Sequence, residues 1–382
     1  MNMKKILAML LALCMILALA ACGSSEGSAA PAASDAAASA AEGEAAPAAE
    51  AGGSQTVGIA MPTKSLERWN RDGDYLKAQF EAAGYGVQLK YSDNDTDQQN
   101  NDIQAMIADG VNLLIIAAID GDSLSQTLAD AKAAGIPVIA YDRLIMNTDA
   151  VSYYVSFDNY TVGVLQGEFV KQQLDLDNAA GPFNIEFTAG DPADNNAGFF
   201  FNGAMSVLKP YIDAGKITVK SGQTEFADVA TPTWKTDVAQ KRAEDILTAN
   251  YADGTKIDAW VCSNDSTALG VTNALEDNYD VDTLGWPIIT GQDCDIANTK
   301  NMIAGKQSMS VFKDTRTLAA QVVKMVGQIL NGEEVDVNDT ETYNNNVVTV
   351  PSFLCDPVFA NAENYKEILI DSGYYTEDQL AD

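Results

Sequence analysis

"VNLLIIAAIDGDSLSQTLADAKAAGIPVIAYDRL", residues 111–144, is the stretch on which the fold turns. Its two ends, "VNLLIIAA" and "IPVIAYD", are apolar without alternation, and a helical stretch separates them. A strand with one wet face alternates apolar and polar residues. Strands that are apolar throughout are buried on both faces, as in a parallel sheet covered by helices. The second run stops abruptly at two opposite charges, Asp142 and Arg143, in a chain that has only 23 basic residues.

The same rhythm extends in both directions. Upstream, "TVGIAM" (56–61) and "YGVQLKY" predict strands around a helix "DYLKAQFEAAG" (74–84) that stops at a glycine. Downstream, "VSYYVSF" follows without an intervening helix. "FNIEFTAG" is then followed by a helix around 196–209, "KITVKSG" by 234–249, "IDAWVCS" by 265–277, "WPIITGQD" by 295–304 and "QSMSVFK" by 316–330. About eleven strands are many for one such sheet, so an α/β chain with two sheets is expected. The break is placed near residue 158, where "SYYVSF" meets "DNYTVG".

With 382 residues, 47% of them hydrophobic, the chain has room for two or three domains and a substantial core. Residues 1–22 carry two lysines, an apolar run and small residues ending at Cys22, which reads as a secretory signal. "LAAC" (19–22) resembles a bacterial lipoprotein box, implying cleavage before Cys22, acylation of that cysteine and anchoring at the outer face of the cell membrane. An ordinary signal peptide or a membrane anchor is the plainer alternative. Residues 23–54 are almost entirely Ala, Gly, Ser, Pro and acidic residues, the composition of a disordered tether.

Of five cysteines, Cys14 leaves with the signal and Cys22 is the lipidation candidate, so Cys262, Cys294 and Cys355 remain. A Cys262–Cys294 contact is conceivable because both end strands, but buried free thiols are the simpler expectation. A formal charge of −31 argues against nucleic acid as a partner. With no histidine anywhere, Ser-His-Asp and Cys-His nucleophile systems and histidine-bearing zinc sites are excluded. Neither a G-x-x-x-x-G-K-[ST] loop nor a G-x-G-x-x-G helix start is present, so no phosphate cradle is expected. No cofactor and no metal is implied, and carboxylate pairs leave a glycosidase open but unsupported.

In open α/β sheets ligands bind beyond the carboxyl ends of the strands. Strand ends here deliver Lys64, Arg68 and Trp69 from "AMPTKSLERWN", Asp142 and Arg143 from "VIAYDRL", and Asn195 and Asn196 from "DPADNNA". Asn264 and Asp265 follow "AWVCS", Gln292 and Asp293 follow "IITG", and Lys313 ends "SMSVFK"; Trp234 precedes the helix near 235. A sugar presents hydroxyls that both donate and accept, and two apolar C–H faces. Planar Asp, Asn and Arg groups each bridge neighbouring hydroxyls, while an indole covers a face. Asp142 and Asp293 would repel a ligand carboxylate, so a neutral polyol fits best. The duller alternative is that Asp142 and Arg143 pair only with each other or with a neighbouring loop.

The strings "MPTKSLERW", "VIAYDRL", "DNNA", "GAMSVLKPYIDAGKI", "SND", "TGQDCD", "FKDT" and "VNDTETYNN" resemble, in order and spacing, the multiple-sugar-binding and xylose-binding periplasmic receptors of ABC transporters. These are type I periplasmic binding proteins, and the resemblance runs from about residue 55 to 380. It implies two Rossmann-like lobes joined by a three-stranded hinge, parallel sheets flanked by helices, and closure on one monosaccharide. It further implies that Arg68 and Trp69 are first-loop contacts, with Trp69 stacked on one sugar face and Lys64 a weaker member of that loop. Asp142 and Arg143 match the family's hydroxyl-bridging pair, Asn196 its second-lobe asparagine, and Trp234 the opposing aromatic wall; Asn195 caps the helix or joins it. Asn264, Asp293 and Lys313 correspond to the remaining polar contacts. Phe199–Phe201 stand where ribose-binding relatives place arginine, which favours a pyranose such as xylose, glucose, galactose or arabinose.

The expected organisation is a signal (1–22), a tether (23–54), an N-terminal lobe (55–158 and 314–342), a C-terminal lobe (159–313 and 343–355) and an extension (356–382) packed on a lobe. Trp260 and Trp286 are assigned to the core, and the tail "ENYKEILIDSGYYTEDQL" carries no chemistry that can be assigned. The expected protein is a monomeric, lipid-anchored, extracytoplasmic receptor, not an enzyme, whose partners are the monosaccharide and a membrane permease. A sugar sensor docking on a chemoreceptor or sensor kinase is the alternative, and a secreted glycosidase is the remote one.

Overall fold

Leu113 to Ile116 are all buried, yet they belong to two different cores: Leu114 and Ile116 face one side of the sheet, Leu113 and Ile115 the other. That is the doubly covered strand anticipated from the missing alternation. The computed structural model describes residues 55–381; the signal, Cys22 and the tether lie outside the described residues.

In the first lobe β1 (Thr56–Met61), β2 (Gly86–Tyr91), β3 (Leu113–Ile116), β4 (Val138–Tyr141) and β5 (Tyr153–Phe157) alternate with α1 (Glu67–Ala82), α2 (Thr96–Ala108) and α3 (Ser125–Ala133). The chain then crosses to α4 (Asn159–Gln173), β6 (Phe183–Thr188), α5 (Asn195–Asp213), β7 (Ile217–Thr218), α6 (Phe226–Val229) and α7 (Thr236–Asn250). The second lobe continues with β8 (Ala259–Cys262), α8 (Asp265–Asn278), α9 (Val281–Leu284), β9 (Ile288–Ile289), α10 (Ile296–Ile303) and β10 (Met309–Phe312). Next, α11 (Thr315–Asn331) and β11 (Ser352–Cys355) return to the first lobe, while β12 (Val358–Asn361) and α12 (Glu377–Leu380) end the chain in the second.

The first sheet is six-stranded and parallel, in the order β11-β5-β4-β3-β1-β2. α1 and α11 cover one face through Leu76, Phe80, Leu318 and Val322; α2 and α3 cover the other through Ile103, Met106 and Leu128. The second sheet runs β7-β6-β8-β9 and is also parallel. A single parallel bridge from Gln292 to Val311 brings β10 beside it, and β12 pairs antiparallel with β10.

Three crossings join the lobes: β5 to α4, β10 to α11, and β11 to β12. The first two each pass through an aspartate that caps the next helix. Asp158 Oδ1 accepts from the Thr161 amide at 3.0 Å, and Asp314 Oδ1 from the Arg316 amide at 3.0 Å. The Asp158 amide donates to the Cys355 carbonyl at 3.0 Å, tying the first crossing to the third.

Two boundaries differ from expectation. Residues 343–355 belong to the first lobe, because β11 extends its sheet and Tyr343 and Val350 enter its core; the third crossing falls after Cys355, not near 343. α1 begins at Glu67 rather than near 74. Its first turns lack an apolar stripe and are held by the i,i+4 ion pairs Glu67–Arg71 and Arg68–Asp72. "KITVKSG" and "WPIITGQD" form strands of only two residues each, and all three cysteines among the described residues are buried free thiols.

α4 and α5 pack backbone to backbone. A Cβ at Gly163 would lie 2.0 Å from the Phe200 carbonyl oxygen, and one at Gly203 would lie 2.2 Å from that of Tyr160. This crossing carries Phe200 and the start of α5 to the cleft. Gly163→Ala is expected to cost about 1–3 kcal/mol by overpacking, whereas Gly198→Ala, with nothing within 4 Å of its Cβ, should leave stability unchanged or raise it. Differential scanning calorimetry of the two variants checks this.

Candidate functional site

The strand ends of both lobes converge on one cavity of about 420 Å3, its opening to solvent included. The first lobe supplies Leu66, Arg68, Trp69, Asp142 and Arg143. The second supplies Asp194, Asn196 and Phe200 from the start of α5, Trp234 from the turn before α7, and Asn264 and Ser266 from the start of α8. Gln292, Asp293 and Asp295 come from the β9–α10 loop, and Lys313 from the end of β10.

Arg68 organises the charges. Its Nη2 donates to Asp142 Oδ1 at 2.7 Å, its Nε to Asp72 Oδ2 at 2.9 Å, and its Nη1 stands 3.6 Å from Asp293 Oδ1. Lys313 Nζ, in a side chain only 2% exposed, lies 3.1 Å from Asp293 Oδ1 and 3.9 Å from Asp142 Oδ1. Burial alone would raise the Asp142 carboxyl, but Arg68 and then Lys313 outweigh it and hold the group below the usual carboxylate range. Burial likewise opposes the Arg68 charge, and Asp142, Asp72 and Asp293 together raise that guanidinium well above its ordinary value. Burial pushes Asp194 up against the opposing pull of Arg143, and pushes Asp295 up to about 7 against the pull of Arg71.

The two aromatic walls are fixed differently. Trp69 is 3% exposed, with the Arg68 and Arg143 guanidinium carbons 4.8 and 5.0 Å from its ring centroid, a double cation–π contact. Trp234 donates from Nε1 to Asp194 Oδ2 at 3.2 Å and meets Phe200 edge-on at 6.2 Å between centroids. Asp194 Oδ2 also stands 3.1 Å from Arg143 Nε, so one carboxylate of the second lobe addresses both its own indole and an arginine of the first.

Three site residues adopt left-handed backbone: Asp142 (φ 60°), Trp234 (φ 56°) and Asp293 (φ 97°). Such conformations cost of order 1–3 kcal/mol and persist only where surroundings over-determine them. At Asp142 they do. Its carbonyl accepts from Asn196 Nδ2 at 2.6 Å and Ser156 Oγ at 3.0 Å, with the Tyr154 hydroxyl at 2.7 Å, while its amide donates to the Val155 carbonyl at 2.7 Å.

Not every residue anticipated from sequence reaches the cavity. Lys64 is exposed, its Nζ 4.8 Å from the Tyr91 ring centroid, because α1 starts at Glu67 and leaves residue 64 beside the edge strand β2. Arg68 and Trp69 accordingly sit on a helix, not in a loop. Asn195 is the first residue of α5 and lies outside the cavity; the cap is Asp194, whose Oδ1 accepts from the Asn196 amide at 3.0 Å. Asn196 lines the cavity but is largely engaged: its Oδ1 accepts from Asn159 Nδ2 at 3.0 Å, and one amide hydrogen goes to Asp142. Asn264 caps α8 through Oδ1, accepting from the Thr267 amide at 3.0 Å. Of the phenylalanines only Phe200 faces the site; Phe199 packs on Tyr343 and Phe201 in the second-lobe core.

Asp265, one of the groups that the strand ends deliver, is structural: its carboxylate accepts from Gln307 Nε2, Ser310 Oγ and the Asp295 amide. Trp260 is core and donates to Thr188 Oγ1 at 2.9 Å; Trp286 is half-buried. Leu66, Asp194, Phe200, Ser266 and Asp295 were missed. Only Asp194 had a usable signal, an aspartate directly before a helix start.

Three buried polar atoms on the cavity wall lack a hydrogen-bond partner: Arg143 Nε, Gln292 Oε1 and Asp293 Oδ1. The first and last stand near opposite charges but outside hydrogen-bond geometry. No cluster of metal-binding side chains occurs among the described residues, and no helix there is long and apolar enough to cross a membrane.

Two parallel-sheet lobes, a three-crossing hinge and a polar cavity between them define a solute-binding protein of the type I periplasmic fold. The chain belongs to the periplasmic binding protein domain family, which it matches over residues 57–334, a family of binding proteins rather than enzymes. It is 48% identical over 326 residues to the multiple sugar-binding periplasmic receptor ChvE of Rhizobium radiobacter, covering 85% of this chain and 92% of that one. Identity to the D-xylose-binding periplasmic protein of Escherichia coli K12 is 37% over 324 residues, covering 85% and 92%. The solved structure of an ABC transporter solute-binding protein from Clostridium phytofermentans, with bound β-D-glucose, superposes with a TM-score of 0.84 at 62% identity, covering 86% and 100%.

Gly190 gives a direct test of the site's construction. A Cβ there would lie 1.9 Å from Trp234 Cη2, so Gly190→Ala is expected to push the indole from its seat against Phe200. The measurement is near-ultraviolet circular dichroism, which should change at the tryptophan bands while the far-ultraviolet spectrum stays the same.

Proposed function

We propose that the chain captures a neutral monosaccharide, an aldopyranose such as glucose, xylose, galactose or arabinose, by closing its two lobes on it. The observation that carries this reading is the set of cavity-lining residues from both lobes that keep a buried polar atom without a hydrogen bond: Arg143 in the first, Gln292 and Asp293 in the second. Leaving a polar atom buried without any partner, as Gln292 Oε1 is, costs about 1–3 kcal/mol. A polyol relieves that cost, since each hydroxyl both donates to a carboxylate or amide oxygen and accepts from a guanidinium. Carboxylates at Asp142, Asp194 and Asp293 disfavour an anionic ligand. The indoles of Trp69 and Trp234 offer apolar walls for the ring's C–H faces, and the sugars named for the relatives point the same way.

In this reading Arg68, Asp142, Arg143, Asp293 and Lys313 hold hydroxyls, with Asn264 Nδ2, Gln292 and the free hydrogen of Asn196 as further partners. Sugar bound to one lobe selects the closed form, because only closure completes the ring. The loaded receptor, tethered outside the cell membrane by lipid on Cys22, then hands its cargo to an ABC permease. The alternative output is a sensor kinase or chemoreceptor that reads the same closed form; a neighbouring gene for one or the other discriminates.

The test is calorimetric titration with glucose, xylose, galactose, arabinose and ribose. Saturable binding of at least one pyranose is expected, weakened about 5- to 150-fold in Asp142→Asn, which keeps a residue tolerant of left-handed backbone but removes the charge. Silence with every sugar, or a variant that binds as tightly as wild type, would overturn the reading.

A further inference from the structure

The C-terminal tail packs on the second lobe through Leu369, Tyr374 and Tyr375, which share a core with Cys294, Met302 and Phe312. Its turn at Ser372–Tyr375 also reaches the first lobe. Arg71, on α1, donates through Nη1 to the Tyr375 hydroxyl at 2.6 Å; its Nη2 stands 3.0 Å from Asp295 Oδ1 and donates to the Asp293 carbonyl at 3.3 Å. Glu67, one turn earlier and paired with the same arginine, accepts through Oε2 from the Ile296 amide at 3.2 Å. Tyr375 donates in turn to the Cys294 carbonyl at 2.8 Å. Arg316, on α11, donates to the Ser372 carbonyl at 3.0 Å and lies 5.0 Å from the Tyr374 ring centroid.

We infer that this cluster is a closure latch: Glu67 and Arg71 of the first lobe, with Asp295, Ile296 and Tyr375 of the second, hold the lobes together through contacts made only in the closed form. Arg71 and Tyr375 do not line the cavity, so substitutions there act on the open–closed equilibrium without removing a cavity-wall side chain; Asp295 belongs both to the latch and to the wall. A closed state favoured by protein–protein contacts gives ligand back more slowly, and to the extent that it holds the empty protein closed it also slows entry, which occurs through the open form. The tail, which the sugar site leaves without a role, thereby sets residence time. The inference rests on the capture reading above, and its test separates the two.

Sugar release and association are measured by stopped-flow tryptophan fluorescence in wild type, Tyr375→Phe and Arg71→Gln, with thermal melts alongside. Tyr375→Phe keeps the packed ring and removes only the hydroxyl, so it remains informative should Arg71→Gln fail to fold. The latch predicts release faster by on the order of tenfold, with association no slower than in wild type. Unchanged release in folded variants, with or without a lowered melting temperature, would mean a merely structural cluster and overturn the latch. Should wild type respond to no sugar, the capture reading fails by itself. Small-angle scattering of the ligand-free proteins then decides the latch: a larger radius of gyration in the variants supports it, and equal radii reject it.

Discussion

The guanidinium of Arg68 is buried and shared among three carboxylates, Asp72 beneath it, Asp142 beside it and Asp293 across the cleft. Taking a charge out of water costs several kcal/mol and is tolerated only where opposite charges and hydrogen bonds surround it. Those partners come from one helix, one strand end of the first lobe and one loop of the second. The arrangement therefore requires both sheets to present their carboxyl ends to the same place and the lobes to be together. Lys313 adds a second cation at the hinge end of the same network, so two cations face two aspartates around the space where a ligand is proposed to sit.

Preorganisation of that ring falls to the backbone. Asp142 and Asp293 are turned by left-handed conformations, and the Asp142 carbonyl is held by donors from β5 and from α5 of the opposite lobe. Asn196 thus links the lobes as much as it lines the cavity. Glycines set the remaining distances: Gly163 and Gly203 let α4 and α5 touch, and Gly190 leaves room for Trp234. Left-handed backbone at Asp142, Trp234 and Asp293 and the close approach of Gly190 to Trp234 fall at the cleft, while the two sheets are ordinary doubly covered parallel sheets. A stiff frame with a preorganised site is suited to reversible capture.

Much of this was legible in the sequence. The parallel sheets followed from strands such as "LLII" (113–116), whose residues are apolar on both sides because both sides are covered. Arg68, Trp69, Asp142, Arg143, Asn196, Trp234, Asn264, Asp293 and Lys313 all line the one cavity, because strand ends in such sheets share an edge. Lys64 and Asn195 fall outside it for local reasons. Ion pairs, invisible to apolar periodicity, start α1 early, and the choice of Asp194 over Asn195 as cap depends on backbone angles. The third crossing was misplaced because β11 is short and its neighbour β5 lies almost two hundred positions away. The Arg71 cluster was illegible for a similar reason: its members are separated by more than two hundred residues.

The most direct measurement of the central claim is a crystal structure of residues 55–381 grown with D-glucose or D-xylose. The account predicts one pyranose between the lobes, its hydroxyls on Asp142, Asp293, Arg143 and Gln292 and its faces against Trp69 and Trp234. A closed protein whose cavity stays empty at saturating sugar, or a sugar bound away from Arg68 and its carboxylates, would contradict it.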